Sequence, residues 1–477
     1  MAIVTTSNKS CAVNPLKMSQ PIGAALAFMG IDRSIPLLHG SQGCASFGVV
    51  LFGRHFRETI PMQTTAVTEV DAVLGGEENI EQALLTLHGK ARPALIGLCT
   101  TGLTEIRGDD VEGVLKNLRA KHPELRDLAV VHVSTPDFKG SLQDGWAKAV
   151  ERLVEELVPD SPGSAPDAHS LRVGVEKWWQ GGVMLRGSEE MTRINLLTGP
   201  HFTPADVQEL REIVEVFGLE PIVLPDLSGS LDGHVPEDFR PTTLGGIGLD
   251  QIRAMGSSEI TLALGESMRP AAAVLERRTG VPFVVFDRLT GLEPTDRFLD
   301  LLSKISGRAV PGRLRRQRSR LVDAMLDGHF HFGRKKVAIG AEPDLLFALS
   351  TWFAEMGSEI AAAVATTPSP VLEKIPASEV LIGDLEDLED RAAGCDLLVT
   401  HSHGRQASER SGIPLLRVGI PIFDRLGASH QLSVGYQGTM RLVFEAGNVF
   451  LANVGEKHPP PFPPPQGGRV RSGRINA

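Results

Sequence analysis

Cys44 is the residue whose surroundings in the sequence point most clearly to chemistry. It lies in the stretch PLLHGSQGCASFG, residues 36–48. A cysteine kept only for packing needs no glycine neighbours, because free thiols pack well among apolar side chains. Gly40 and Gly43 instead let the backbone come close to a bound group and adopt dihedral angles that other residues avoid. The stretch therefore indicates that the Cys44 thiol contacts something beyond the protein core.

The elements around Cys44 predict that its thiol lies at the start of a helix. SIPLLHG is typical of a strand, and CASFGVVLFGRHFRE is typical of a helix. The dipole and the free N–H groups at a helix N-terminus stabilise a thiolate, which can be a nucleophile or a metal ligand. A nucleophile needs a base, and His39 and His55 are the local candidates. An iron–sulfur cluster usually needs four thiolates, so most ligands would come from another subunit. The residues alone leave both interpretations open.

Polar residues at other strand ends could also face a ligand. Thr100, Thr101 and Gly102 follow one apolar run, and α/β sheets bind ligands at the carboxyl ends of their strands. The stretch HSHGR, residues 401–405, could ligate a metal or form a hydrogen-bonded turn. The stretch PDLSGSLDGH, residues 225–234, could surround an anion with backbone N–H groups or be a plain surface loop.

Signatures of several common protein classes are missing from the sequence. It contains no Cys-x-x-Cys pair, which argues against a zinc ribbon or a thioredoxin-like site. It also contains no phosphate-binding P-loop, no G-x-S-x-G elbow and no H-E-x-x-H helix. Cys11, Cys99 and Cys395 are widely separated, and we interpret each as a small buried apolar residue.

The composition is that of a globular protein with a sizeable core. Hydrophobic residues make up 42% and charged residues 22% of the 477 residues, which excludes global disorder. The net charge of −10 argues against binding to nucleic acid or to an acidic membrane surface. No apolar run reaches the roughly 20 residues that span a bilayer, and the first residues lack the pattern of a secretory signal. We expect a cytoplasmic protein.

The pattern of apolar runs predicts repeated doubly wound α/β structure. Short continuous apolar runs such as PALIGLCTTG, RINLLTGP, EITLALGES and KKVAIGAEPD alternate with amphipathic stretches. Continuous rather than alternating apolar strands indicate parallel sheets covered on both faces. Two of the predicted helices begin at Thr203 and at Glu342-Pro343, and each ends at a glycine, as helices often do. The fold class is therefore α/β, with parallel sheets.

Changes in composition divide the chain into domains. A Pro-, Ser-, Gly- and Asp-rich linker at residues 156–170 separates the first two domains. We expect an N-terminal α/β domain that carries the Cys44 loop, a middle and a C-terminal α/β domain, and a disordered Pro/Gly/Arg-rich tail. Their predicted bounds are 1–165, 171–325, 326–456 and 457–477.

A basic amphipathic helix is predicted at residues 312–326, before the C-terminal domain. Its sequence is GRLRRQRSRLVDAML. The arginines could steer an anion, or they could form a solvated helix face.

Several ordered motifs resemble those of the nitrogenase component 1 family. They are HGSQGC, RHFRE, TTGLTEIRGDD, STPDFKGS, PDLSGSLDGH, IGDLEDLED and IPLLRVGIPIFDRLG followed by VGYQGT. The resemblance runs from about residue 14 to residue 450, which is nearly the whole chain except the tail. It implies three Rossmann-like domains of the nitrogenase component 1 type.

Within that family the resemblance favours a cofactor-biosynthesis subunit. The β subunit of the nitrogenase molybdenum–iron protein supplies three cysteines to its P-cluster. Cys44 matches one of them, whereas Leu16 and Gly102 stand at the other two positions. We do not transfer the third role to Cys99, which lies three residues earlier. Because two of the three ligands are missing, we do not expect a P-cluster.

The resemblance implies a scaffold that assembles with a NifE-like partner into a heterotetramer. A 4Fe-4S cluster would lie at each interface, with Cys44 from this chain, three cysteines from the partner, and Gly40, Ser41 and Gly43 as cluster-loop backbone. The iron–molybdenum cofactor precursor would be held mainly by the partner. The nitrogenase Fe protein would deliver molybdenum and homocitrate, and apo-nitrogenase would accept the finished cofactor. No catalytic residue and no independent turnover are expected.

Two alternatives remain at this level. One is a catalytic chain, either a divergent molybdenum–iron protein β subunit or a related reductase subunit. The other is a structural chain without a cluster, in which Cys44 is merely buried.

Overall fold

The computed structural model describes residues 1–9, 12, 14–160, 191–235 and 237–453. Within these ranges, fourteen strands and sixteen α-helices form three parallel sheets with helices packed around them. Cys11, most of the predicted linker and the predicted tail lie outside the described residues.

The strands are short and mostly buried. Their bounds are β1 (Ile3–Thr6), β2 (Ser34–His39), β3 (Gln63–Thr64), β4 (Leu95–Thr100), β5 (Ala129–Val133), β6 (Arg193–Thr198), β7 (Glu220–Leu224), β8 (Ile260–Leu264), β9 (Phe283–Phe286), β10 (Lys336–Ala341), β11 (Glu359–Ala365), β12 (Glu379–Ile382), β13 (Leu397–Thr400) and β14 (Leu415–Arg417).

The α-helices connect these strands. Their bounds are α1 (Gln20–Met29), α2 (Gln42–Phe56), α3 (Glu69–Leu74), α4 (Glu77–Ala91), α5 (Gly102–Arg107), α6 (Val111–Lys121), α7 (Leu142–Leu157), α8 (Pro204–Val216), α9 (Leu249–Arg253), α10 (Arg269–Thr279), α11 (Leu292–Ser306), α12 (Gly312–Phe332), α13 (Pro343–Glu355), α14 (Leu385–Arg391), α15 (Arg405–Ser411) and α16 (Gly435–Ala452).

The sheets confirm the predicted fold class. The first sheet has the strand order β3-β2-β4-β5, the second β7-β6-β8-β9 and the third β1-β12-β11-β10-β13-β14. Every strand pair in them is parallel. Parallel neighbours require crossover connections, which is why helices separate the apolar runs along the chain.

The structure departs from the predicted domain bounds at two places. β1 does not join the first sheet, because Ile3 pairs with Glu379 of β12 and thereby extends the third sheet. The predicted N-terminal domain therefore contributes its first strand to the C-terminal domain. The predicted boundary after residue 325 falls inside α12, which continues without a break to Phe332.

The first sheet is backed by two helices whose backbones touch. A Cβ atom added to Gly145 of α7 would lie 1.9 Å from the Gln20 carbonyl oxygen, and one added to Gly23 of α1 would lie 1.9 Å from the Leu142 carbonyl oxygen. All residues of α1 are buried, so this helix is apolar all round rather than amphipathic. The close pair holds the sheet that carries the Cys44 loop.

Of the two predicted N-caps, the side chain of Thr203 caps its helix and that of Glu342 does not. Thr203 caps α8 as predicted, since its Oγ1 accepts from the Asp206 N–H at 3.0 Å. Glu342 occupies the N-cap position of α13, but its side chain does not cap the helix. Its carboxylate accepts from Ser141 Oγ at 2.5 Å and from Thr366 Oγ1 at 2.8 Å. Burial raises the pKa of Glu342 to about 7.

Candidate functional site

Cys44 lies in the first turn of α2, directly after the loop that follows β2. β2 ends at His39 and α2 begins at Gln42, so the thiol lies at the helix start that the sequence predicts. The Cys44 N–H donates to the Ser41 carbonyl oxygen at 3.3 Å, and Ser41 Oγ lies 3.7 Å from Cys44 Sγ. Because Cys44 is only half-buried, its sulfur can contact a group outside this chain.

The two glycines of the loop have different reasons for lacking a side chain. A Cβ atom on Gly40 would lie 2.4 Å from Thr101 Oγ1, so the fold itself requires glycine there. A Cβ atom on Gly43 would meet nothing within 4 Å. The backbone next to Cys44 therefore borders open space, whereas Gly40 packs against the protein.

A buried network joins the end of β2 to the neighbouring helices. His39 Nδ1 pairs with Thr65 Oγ1 and its Nε2 pairs with Asp109 Oδ2, each at 2.9 Å. Burial lowers the pKa of His39, although Asp109 opposes this. Arg107 of α5 pairs with Asp109 and donates to the Asp71 carbonyl oxygen of α3. The network fixes α3 and α5 relative to the strand that precedes the Cys44 loop.

The local histidines do not pair with Cys44. Both ring nitrogens of His39 are occupied by the network. His55 is buried, its Nδ1 accepts from the Ile422 N–H at 2.9 Å, and burial lowers its pKa to about 4. Among the described residues, the side-chain hydrogen bond of Cys44 Sγ is to Ser41 and not to an imidazole. The geometry therefore favours a ligand over a base-activated nucleophile.

Thr100, Thr101 and Gly102 lie at the predicted end of β4, beside the Cys44 loop. Thr101 Oγ1 donates to the His39 carbonyl oxygen at 2.9 Å, and Thr100 Oγ1 accepts from the Thr135 N–H at 2.8 Å. All three residues are buried. Their polar groups hold the strand ends together, and their role toward a ligand stays a prediction.

Hydrogen bonds with backbone groups hold the side chains of two other predicted loops. His401 Nε2 pairs with the Leu16 carbonyl oxygen at 3.0 Å, and its Nδ1 accepts from the His403 N–H at 3.3 Å. Burial lowers the pKa of His401 to about 4. HSHGR is therefore a hydrogen-bonded turn. In PDLSGSLDGH, Asp226 Oδ1 accepts from the Ser228 N–H at 3.0 Å.

The other described cysteines differ in burial. Cys99 is fully buried as interpreted, and burial raises the pKa of its thiol. Cys395 is only half-buried, because it precedes β13 at the margin of a small apolar cluster. In the part of the chain that the structure describes, no group of three or more His, Cys, Asp or Glu residues could hold a metal ion. None of the described helices is long and apolar enough to cross a membrane.

The helices around the loop expose large apolar side chains that the sequence analysis does not predict. Val73 and Leu74 of α3 are 82% and 81% exposed, and Ile106 of α5 is 77% exposed. Exposed apolar patches on globular proteins mark interaction sites. The spacing of the apolar residues in α3, which is flanked by polar residues, is the sequence signal that could have indicated this surface. We name this surface the Cys44 face; its members are Cys44, Phe47, Val50, Val70, Val73, Leu74, Leu103 and Ile106.

The model of one protein family matches almost the whole chain. It is the family described as "Nitrogenase component 1 type Oxidoreductase", and the match covers residues 19–451. This chain belongs to the nitrogenase component 1 family. The resemblance drawn from the ordered motifs is thereby confirmed.

Three similar curated proteins carry the name "Nitrogenase iron-molybdenum cofactor biosynthesis protein NifN". The protein from Bradyrhizobium diazoefficiens is 55% identical over 462 residues, which cover 96% of this chain and 94% of the relative. The protein from Nostoc sp. is 50% identical over 94% of this chain and 96% of the relative. The protein from Klebsiella pneumoniae is 39% identical over 96% of this chain and 94% of the relative.

Solved structures agree with the component 1 fold. A chain of "Nitrogenase Cp1 at pH 6.5" superposes with a TM-score of 0.84 at 30% identity, covering 95% of this chain and 96% of that one. A chain of "Nitrogenase Cp1 at pH 5" gives a TM-score of 0.66 at 14% identity over 96% of this chain and 93% of that one. The second likeness concerns the fold alone.

Proposed function

We propose that this chain is a scaffold subunit for biosynthesis of the nitrogenase iron–molybdenum cofactor. The observation that carries the proposal is its near-full-length similarity, at 39–55% identity, to proteins named NifN for that biosynthesis. In this role the chain pairs with a NifE-like subunit in a heterotetramer. The cofactor precursor is held mainly by the partner while the Fe protein delivers molybdenum and homocitrate. Apo-nitrogenase then accepts the finished cofactor. The chain has no turnover of its own.

The residues around Cys44 fit one ligand of a cluster shared between subunits. The thiol is half-buried at the start of α2, so a group bound outside this chain can reach its sulfur. A four-iron cluster usually takes four thiolates, and no described part of this chain supplies a group of three possible ligands. A 4Fe-4S cluster would therefore be anchored by Cys44 here and by cysteines of the partner. When bound, such a cluster supplies one-electron transfer.

The Cys44 face is suited to cover that cluster. Its exposed apolar side chains belong to α2, α3 and α5, and the open space beside Gly43 leaves room for a bound group. Burying this face against a NifE-like subunit would exclude water from the sulfur and release apolar surface from solvent. The Ser41 hydroxyl, 3.7 Å from Cys44 Sγ, can donate a hydrogen bond to a ligating sulfur.

The two positions without cysteine argue against a catalytic β subunit. Leu16 is buried in an apolar cluster with Leu388 and Ala338. Gly102 is buried at the first position of α5. Neither residue can supply a thiolate, so the P-cluster ligand set that the resemblance assigns to the β subunit is incomplete. This supports the scaffold over the alternative of a divergent β subunit or a related reductase subunit.

Loss of the gene tests the function directly. A strain without this protein should not fix nitrogen with molybdenum, although it still makes the nitrogenase polypeptides. Adding isolated cofactor to its extract should restore activity, because only cofactor assembly is missing. Failure of the added cofactor to restore activity would place the protein elsewhere in nitrogen fixation.

A Cys44→Ala substitution tests the shared cluster. We expect the reduced two-subunit complex to lose iron and to change its electron paramagnetic resonance spectrum, while the chain stays folded. Cys99→Ala is the matched control: it should cost about 1–2 kcal/mol of stability by leaving a small cavity and leave the spectrum intact. The wild-type chain expressed without its partner should bind little iron. An unchanged spectrum in the Cys44 variant would show that this thiol is not a ligand.

A further inference from the structure

The arginine-rich half of α12 forms one wall of a groove far along the chain from the Cys44 loop. The groove has a volume of about 400 Å³ and lies between α12 and α16. Its lining residues are Arg313, Arg316, Gln317, Arg320, Gln437 and Met440.

The spacing of the three arginines places them on one side of the helix. Arg313, Arg316 and Arg320 are related by three, four and seven positions, and residues at these spacings share a helix face. At about 1.5 Å of rise per residue, their Cα atoms span about 10 Å along the axis. The groove therefore presents a row of guanidinium groups.

The arginines that line the groove are less neutralised than Arg318, which lies outside the groove lining. Arg318 points to α11 and binds both carboxylate oxygens of Asp296, at 2.7–3.0 Å. Arg313 Nη2 lies 3.8 Å from the nearest Glu212 oxygen. Arg316 and Arg320 have no carboxylate or hydrogen-bond partner among the residues that the structure describes. Within the described part of the chain, the groove lining thus contains two arginines without an ion-pair partner and a third, Arg313, that is loosely paired.

Charged groups on the neighbouring helices balance only one end of the row. The carboxylates of Glu209 and Glu212 in α8 attract Arg313, at one end of the arginine row. Arg441 adds a further positive charge near Glu209. Glu209 Oε1 accepts from Gln437 Nε2 at 3.5 Å. Like charges on successive helix turns repel one another. An anion bound along the row would relieve this repulsion between the groove arginines.

We propose that this groove binds a small polyanion carrying at least two carboxylate or phosphate groups. Guanidinium forks bind both kinds of anionic group in a bidentate manner. The amides of Gln317 and Gln437 can donate further hydrogen bonds, and Met440 can pack against the carbon portion of the ligand. This site is separate from the cluster site and does not depend on the proposed function.

Isothermal titration of the purified full-length protein tests the site, with tripolyphosphate and citrate as separate probes. We expect at least one probe to bind with an affinity that falls as salt is added. The double variant Arg316→Gln/Arg320→Gln should weaken binding at least about tenfold, because each substitution removes a guanidinium and its charge-assisted contact with the anion. Arg315→Gln is the control for the loss of one positive charge and is compared with each single variant, since Arg315 lies on the same exposed helix but outside the groove lining.

The outcomes separate the two ligand chemistries. Stronger binding of tripolyphosphate assigns the groove to phosphate compounds, and stronger binding of citrate assigns it to polycarboxylates. No binding of either probe at millimolar concentration overturns the proposal. Equal weakening by the control variant also overturns it, because the effect would then come from net charge alone. The midpoint temperature of thermal unfolding is measured for each variant. A midpoint equal to that of the wild type shows that the surface substitutions leave the fold intact.

Discussion

Glu342 is a buried carboxyl group whose replacement by glutamine should make stability less dependent on pH. Its side chain lies between α7 and the start of α13, where Ser141 Oγ, Thr366 Oγ1 and the Gln143 N–H all donate to the same oxygen, Oε2. A glutamine can place its single carbonyl oxygen at that point and keep all three hydrogen bonds. Glu342→Gln therefore removes the ionisable group with little change in packing.

The sign of the effect follows from the raised pKa. Burial raises the pKa of Glu342 from 4.5 to about 7, so between these pH values the folded state binds more protons than the unfolded state. The free energy of unfolding therefore falls as the pH rises through this window. At about 1.4 kcal/mol per pH unit, the full penalty above pH 7 is about 3 kcal/mol. Glu342→Gln should abolish it.

Urea unfolding followed by tryptophan fluorescence measures this difference. Trp146 is a suitable reporter, because it is buried in α7 and its Nε1 donates to the Thr198 carbonyl oxygen at 2.7 Å. The stability gained by the variant should be largest at pH 8 and should shrink toward pH 5. Glu359→Gln, at an exposed position, should follow the wild type at every pH. A difference between Glu342→Gln and wild type that is the same at pH 5 and pH 8 would refute the reasoning.

Two further predictions concern packing and the tail. Gly145→Ala should destabilise the chain by about 3 kcal/mol, because the new Cβ would lie 1.9 Å from the Gln20 carbonyl oxygen; Gly89→Ala in α4, where a Cβ meets nothing within 4 Å, is the control and should be neutral or slightly stabilising in thermal unfolding. Truncation after Asn453 should leave complex formation and iron content unchanged, since proline-rich segments lack the donors for helices and sheets; a loss of either in gel filtration or iron analysis would contradict this.

Much of the candidate site could be predicted because its signals are local. Three signals lie close together in the sequence: the glycines near Cys44, the apolar strand before it and the apolar periodicity after it. Together they predict the loop and the helix start that the structure shows. The Cys44 face was not predicted. A short run such as EVDAVL shows that a helix has apolar residues, but only the packed structure shows that Val73 and Leu74 have nothing to pack against.

The sequence by itself determined the secondary structure, the parallel character of the sheets and the family, because apolar period, caps and ordered motifs are properties of neighbouring residues. Only the tertiary structure decided which distant groups meet. β1 pairs with β12, which lies more than 370 residues away in the sequence. The Glu342 carboxylate accepts a hydrogen bond from Ser141 and does not cap its own helix. Arg316 and Arg320 become a groove wall only because α16 packs beside α12. Such pairings depend on which buried surfaces and hydrogen-bonding groups satisfy one another in space, and no local pattern encodes that choice.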